Sequence, residues 1–221
     1  MKLNYKEIMQ DATLFQSMSD DEYEALVNCL SPRVRHYTKN EILLLAEDSV
    51  QHLGIIIGGT ASAYLDHVSG SQTLISNLSP LNIFGEVVVS TRTHRSPVTI
   101  YAASDVTVAF IEYQKIYSMC EVACSVHRVF LQNVLKIIGD KYFHLFDRIT
   151  VLREKSLRSK IMAYLYILSD NGVTSTVTIP FSKTVLADYL LVNRSALSKE
   201  LRKMECDGLI IVKKRKIELM F

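Results

Sequence analysis

Apolar and polar positions along the 221 residues fall into four stretches of different period. Residues 1–30 have helical spacing. Ser19-Asp20-Asp21-Glu22 reads as a cap followed by an acidic first turn, and Tyr23, Leu26, Val27 and Leu30 then share one face. Pro32 marks the end of that helix. Residues 33–112 change to short runs of β-branched and aromatic residues between turn signals. The runs are Leu53–Ile57 before Gly58-Gly59, Thr60–Leu65 before Asp66, Thr73–Leu78 before Ser79-Pro80, Val98–Ala102 before Ser104-Asp105, and Val106–Ile111. Strands at such intervals predict an antiparallel roll or barrel.

Residues 113–152 return to a helical period without a proline. Leu131, Leu135, Ile138, Tyr142, Leu145, Ile149 and Leu152 alternate steps of four and three, which is the seam of two helices packed side by side. This stripe is the expected dimer interface. A second apolar set, Phe130, Val134 and Ile137, lies on an adjacent face and can serve the β domain at the same time. Gly139 costs the helix about 1 kcal/mol relative to alanine, so a close helix approach or a bend is expected there.

The last stretch predicts a helix over Ser159–Ser169, a stop at Asp170-Asn171-Gly172, a short strand over Thr176–Ile179, two helices and a terminal hairpin. The two helices have helix-turn-helix spacing. Ser182 caps the first, and Val185, Leu186 and Leu190 form its inner face, with the small Ala187 where the second helix crosses. Val192 anchors the turn and Asn193 caps the second helix, whose inner face is Ala196, Leu197, Leu201 and Met204. Arg194, Ser195, Ser198, Lys199 and Arg202 are left facing outward, as a helix in the major groove requires. The basic tip Lys213-Lys214-Arg215-Lys216 follows Gly208-Leu209-Ile210-Ile211-Val212 and looks like a wing whose cations meet phosphates. The expected DNA contacts are Ser182, Lys183, Arg194, Ser195, Ser198, Lys199, Arg202, Lys213, Lys214 and Arg215.

Charge sharpens this reading. Residues 1–150 carry 12 Lys and Arg against 16 Asp and Glu, whereas residues 151–221 carry 13 against 7. The split points to two domains with different tasks and a polyanion partner for the second. A content of 48% hydrophobic residues excludes a disordered chain. No apolar run is long enough to span a membrane, and no signal-peptide core follows Met1, so a cytoplasmic protein is expected. Cys29, Cys120, Cys124 and Cys206 have no CxxC or disulfide-framework spacing and read as reduced thiols, with Cys120 and Cys124 as core residues. P-loop, HExxH and GxSxG motifs and metal-ligand clusters are missing from the sequence, so neither an enzyme nor a metal site is expected.

Phe84-Gly85-Glu86, Arg95-Ser96 and the run from Leu186-Ala187-Asp188-Tyr189-Leu190 to Arg194-Ser195-Ala196-Leu197-Ser198 resemble the Crp/Fnr family of bacterial transcription regulators, over nearly the whole chain. The resemblance implies an α+β protein with three parts. They are an antiparallel, jelly-roll-like β-roll (a double-stranded β-helix) sensor with an N-terminal helix over 1–112, a long dimerisation helix over 113–153, and a winged helix-turn-helix over 154–221. It implies a homodimer on a palindromic operator in double-stranded DNA, in contact with RNA polymerase. A cyclic-nucleotide-binding module whose C-terminal part docks protein is the alternative. Family members that bind cyclic AMP use the counterparts of Gly85, Glu86, Arg95 and Ser96 as a phosphate cassette, which makes these the expected effector residues. The glutamate takes the ribose hydroxyl there, and the arginine and serine take the phosphate. This sequence departs from the pattern. Pro97 has no N–H to give the phosphate, and Leu145 and Phe146 stand where the binders offer hydroxyls. Losing one donor to a charged group costs about 1.5–3 kcal/mol. Cyclic AMP is therefore disfavoured, the effector is left unassigned, and Glu86 with Arg95 is equally compatible with a structural ion pair. The lone Cys29 near the N-terminus speaks against an iron–sulfur cluster. His52, His67 and His94 are available to haem, but none stands out as its ligand.

Overall fold

A computed structural model describes residues 5–117, 125–179, 182–213 and 216–220. The chain forms two compact units, Met1–Gly139 and Asp140–Phe221.

In the first unit, helix α1 (Tyr5–Gln10) precedes α2 (Asp20–Leu30). The start of α2 is fixed by a capping box: the Ser19 hydroxyl accepts the Glu22 N–H at 3.3 Å, and the Glu22 carboxylate accepts the Ser19 N–H at 2.9 Å. Ser31 ends it in the left-handed region, directly before Pro32. The strands follow: β1 (Arg33–Tyr37), β2 (Ile42–Leu44), β3 (His52–Gly58), β4 (Ala61–Asp66), β5 (Gln72–Leu78) and β6 (Ile83–Phe84). The short helix α3 (Glu86–Val89) interrupts them before β7 (Thr99–Ala102) and β8 (Val106–Glu112). They form two antiparallel four-stranded sheets, ordered β1-β8-β3-β6 and β2-β7-β4-β5. Ile56, Ala61, Ala63, Leu78, Phe84, Ile100, Ala102, Val106 and Val108 fill the space between them. The other face of the first sheet, through Leu53, Ile55, Ile57, Ala109 and Ile111, packs on the N-terminal helices.

Helices α4 (Tyr113–Tyr117) and α5 (Ser125–Arg153) come next. Phe130 and Ile137 of α5 are buried in the helical core of the first unit, and Val134 packs beside them. Asn133 is also buried, and its amide donates to the carbonyls of Leu14 and Gln16 at 3.1 and 2.9 Å. Helix α5 runs through Gly139, and a Cβ built there would meet nothing within 4 Å. The chain itself thus makes no close approach at Gly139.

The second unit contains α6 (Leu157–Leu168), β9 (Thr176–Thr178), α7 (Lys183–Tyr189), α8 (Arg194–Cys206), β10 (Ile210–Lys213) and β11 (Lys216–Leu219). The three strands form a sheet ordered β10-β11-β9. Ile161, Leu165, Leu186, Leu190, Leu197, Leu201, Met204, Ile210 and Ile217 are the centre of its core, together with Val151 from the end of α5. Cys120 and Cys124 lie outside the described residues. Among the described residues Cys29 and Cys206 are exposed, and Cys29 Sγ lies 3.9 Å from His127 Nε2.

Candidate nucleic-acid interface

Helices α7 and α8 are joined by the turn Leu190-Leu191-Val192-Asn193. Leu191 adopts φ 55°, and the Val192 N–H reaches back to the Ala187 carbonyl at 2.9 Å. This is the left-handed helix ending usually given to glycine, here made by a leucine. The Ser182 hydroxyl caps α7 by accepting the Val185 N–H. Asn193 holds the cap position of α8, but its side chain makes no capping bond, a correction to the role expected of it. The first turn of α8 contains no acid, so its N-terminal N–H groups suit a phosphate.

Leu197, Leu201 and Met204 face the core, and Arg194, Ser195, Lys199 and Arg202 are exposed on the opposite side, with Ser198 half-buried among them. Ser182 and Lys183 at the start of α7 are exposed as well. Among the described residues no acidic side chain pairs with Lys183, Arg194, Lys199 or Arg202.

The acids of the same helix are held elsewhere. Glu200 accepts Arg158 Nε at 2.7 Å, and Asp207, at the end of α8, takes Arg158 Nη1 at 2.6 Å. Glu205 accepts the Val212 N–H of the hairpin at 2.9 Å. One arginine from α6 and one backbone N–H therefore keep three carboxylates off the outward face, which stays cationic. Coulomb attraction to a phosphate falls with distance, so a carboxylate among these cations would cancel much of their pull. Sequence reading missed Arg158, because its partners lie 42 residues and more away and no local pattern marks it. In the hairpin, Lys213 is exposed and reaches Glu218 at 3.1 Å. Lys214 and Arg215 lie outside the described residues.

Tyr189 ties α7 to the end of α5. Its ring lies 5.2 Å from that of Tyr164, and the Arg148 guanidinium lies over it at 5.2 Å. Burial pushes the phenols of Tyr164 and Tyr189 upward from their ordinary value.

Along α5, Leu135, Tyr142, Leu145 and Ile149 remain 68, 62, 57 and 49% exposed. Leu131, Ile138 and Leu152 are half-buried, and Leu131 also packs on the core of the first unit. Phe143 and Phe146, both exposed, widen the apolar face beyond the heptad positions.

The cassette segment is compact. Gly85 has φ 86°, and a Cβ there would stand 2.8 Å from the His52 carbonyl oxygen, so only glycine fits. Glu86 is buried and Arg95 is exposed, with Arg95 Nη1 donating to the Glu47 carbonyl at 2.7 Å. The expected phosphate contact of Ser96 is not available in this arrangement. Ser96 is fully buried, its hydroxyl donates to the Val98 carbonyl at 2.7 Å, and its N–H donates to the Asp48 carbonyl at 3.1 Å. With Pro97 next in the chain, this hydroxyl closes the bend instead of facing a ligand. Among the described residues no group of three His, Cys, Asp or Glu is placed to hold a metal ion, and no helix is long and apolar enough to cross a membrane.

Residues 34–122 match the cyclic nucleotide-binding domain, and residues 159–220 match the Crp-like helix-turn-helix domain. No curated protein matches the sequence. Solved structures with the same fold include a mutant of CooA from Carboxydothermus hydrogenoformans, with 20% identity, 95% of this chain and 92% of that chain covered, and a TM-score of 0.66. The c-di-GMP responsive global regulator CLP of Xanthomonas campestris is similar at 15% identity, with 90% and 99% covered and a TM-score of 0.59. The catabolite activator protein of Thermus thermophilus is similar at 15% identity, with 95% and 94% covered and a TM-score of 0.54.

Proposed function

Because the chain belongs to the Crp/Fnr family of DNA-binding transcription regulators, we propose that it works as a cytoplasmic homodimer on a palindromic operator, with no catalytic activity of its own. Residues 1–112 are the sensor part, 113–153 the dimerisation helix and 154–221 the DNA-binding part. Arg194, Ser195, Ser198, Lys199 and Arg202 enter the major groove and read base edges. Ser182 and Lys183, with Lys213, Lys214 and Arg215 of the wing, take phosphates. Leu131, Leu135, Ile138, Tyr142, Leu145, Ile149 and Leu152 form the seam with the second copy, and two recognition helices then sit about one DNA turn apart. RNA polymerase is the further partner.

The observation that carries this reading is the sorting of charge on α8, with cations outward and Glu200, Glu205 and Asp207 engaged elsewhere. An effector in the roll shifts the population between two arrangements of the readers. Cyclic AMP fits poorly as that effector, because Ser96 is turned inward and Pro97 lacks an N–H. Footprinting of the full-length protein on the DNA upstream of its own coding region tests the proposal. Protection of two half-sites about one helical turn apart supports it. Equal, weak binding to every duplex at physiological salt refutes it.

A further inference from the structure

Helix α6 begins at Leu157, and its second residue, Arg158, reaches across to α8. Arg158 Nε lies 2.7 Å from Glu200 Oε1, and Nη1 lies 2.6 Å from Asp207 Oδ2. The two acids are seven residues apart, about two turns along one side of the helix. One side chain meets both because the guanidinium is a planar fork whose Nε and Nη1 donate in different directions. The single ammonium of a lysine has no such fork. Glu200 is the more sheltered of the two acids, so water screens its pair less.

The placement matters because these acids share a helix with the cations that face outward. Glu200 follows Lys199 directly and precedes Arg202 by two residues. Adjacent Cα atoms are about 3.8 Å apart, and the Debye length at physiological ionic strength is about 8 Å. A carboxylate released at Glu200 therefore stays within electrostatic range of both cations and of a phosphate that they meet. It would weaken their attraction and repel the phosphate directly. Among the described residues the ion pairs of Glu200 and Asp207 are those with Arg158.

We propose that Arg158 is a positioning residue for DNA binding. It touches neither base nor phosphate, and it acts by holding Glu200 and Asp207 against α6, away from the duplex. The proposal rests on the DNA-binding reading above and adds to it a residue outside the reading surface on which affinity depends.

Fluorescence anisotropy of the full-length protein tests this, with the duplex from upstream of its coding region and an unrelated duplex of equal length. The proteins compared are the wild type, Arg158→Ala, the pair Glu200→Gln and Asp207→Asn, and the triple variant. Arg158→Ala should weaken both duplexes about fivefold or more at low salt, and the loss should shrink as salt rises from about 50 to 200 mM. The gain from neutralising both acids should be at least about threefold larger in the Arg158→Ala background than in the wild type. Thermal midpoints check folding, and Arg158→Gln, which keeps a donor for one carboxylate, carries the same comparison should the alanine variant not fold. Equal gains in the two backgrounds would mean that net charge alone acts. No gain would mean that Arg158 meets the DNA itself or serves only the fold. Either result overturns the proposal, as does an Arg158→Ala protein that binds like the wild type. A wild-type protein that binds neither duplex refutes the DNA-binding reading, and this proposal with it.

Discussion

Replacing Leu145 by glutamate should take the protein apart into monomers. Covering a leucine-sized side chain from full exposure is worth about 1.5–3 kcal/mol. Leu135, Tyr142, Leu145 and Ile149 are still 68, 62, 57 and 49% exposed. A partner helix therefore gains about 1 kcal/mol at each, or about 8 kcal/mol over two helices. That is comparable to the association cost of about 4–15 kcal/mol, so the seam has little to spare. Leu145→Glu removes about 2 kcal/mol of this gain in the pair and sets two carboxylates facing each other, for a total of about 2–4 kcal/mol. The dimer should dissociate about 30- to 700-fold more readily. Sedimentation equilibrium reads this directly, with Asp140→Lys on the far side of the same helix as the charged control. A wild-type chain that is monomeric at micromolar concentration would refute the reasoning. Equal weakening by Leu145→Glu and Asp140→Lys would refute it too.

Three further outcomes follow from local geometry. Gly139→Ala should stabilise the chain by up to about 1 kcal/mol, because its Cβ meets nothing and alanine favours the helix. A lowered thermal midpoint would instead mean that a second helix packs closely there. Gly85→Ala should cost at least about 1–2 kcal/mol, given φ 86° and the His52 carbonyl in the way, and lower the midpoint by a few degrees; an unchanged midpoint would contradict this. Hydrogen bonds from Gln72 and then Thr99 hold the Asp66 carboxyl below its usual range. A carboxyl with a depressed folded value contributes stability at pH above its unfolded value of about 3.9, and loses it as pH falls through the folded value. Gln72→Ala should raise the Asp66 titration midpoint in a carbon-13 NMR titration and flatten that acid-side loss, and an unmoved midpoint would argue against the bond.

Much of the architecture was legible because period and burial agree. The inner faces of α2 and α8 and the strands β3, β4, β5, β7 and β8 all lie where the apolar spacing puts them. Strand β1 is not among the runs named from the sequence, since Arg33, Arg35 and His36 break the apolar pattern, and it is fixed by pairing with β8, about 70 residues later. The same distance in sequence hides the pairing of Arg33 with Phe110 and the Arg35 guanidinium 5.9 Å over the Phe110 ring. Leu131 was legible as apolar but not as shared between the stripe and the first unit's core. Ser96 was expected at a phosphate only because of the family resemblance, yet its hydroxyl donates two residues on, to the Val98 carbonyl. The role of Arg158 likewise depends on α6 and α8 meeting, which only the fold decides.

The claim at the centre is that the outward side of α8 reads bases while the wing holds phosphates. Competitive binding of Arg194→Ala and Lys214→Ala proteins to the operator and to an unrelated duplex, across a salt series, tests it most directly. Arg194→Ala should lose about 1–3 kcal/mol of preference for the operator, whereas Lys214→Ala should weaken both duplexes alike and reduce the salt slope by about one. The opposite pattern, or an operator preference untouched by Arg194→Ala, would contradict the account.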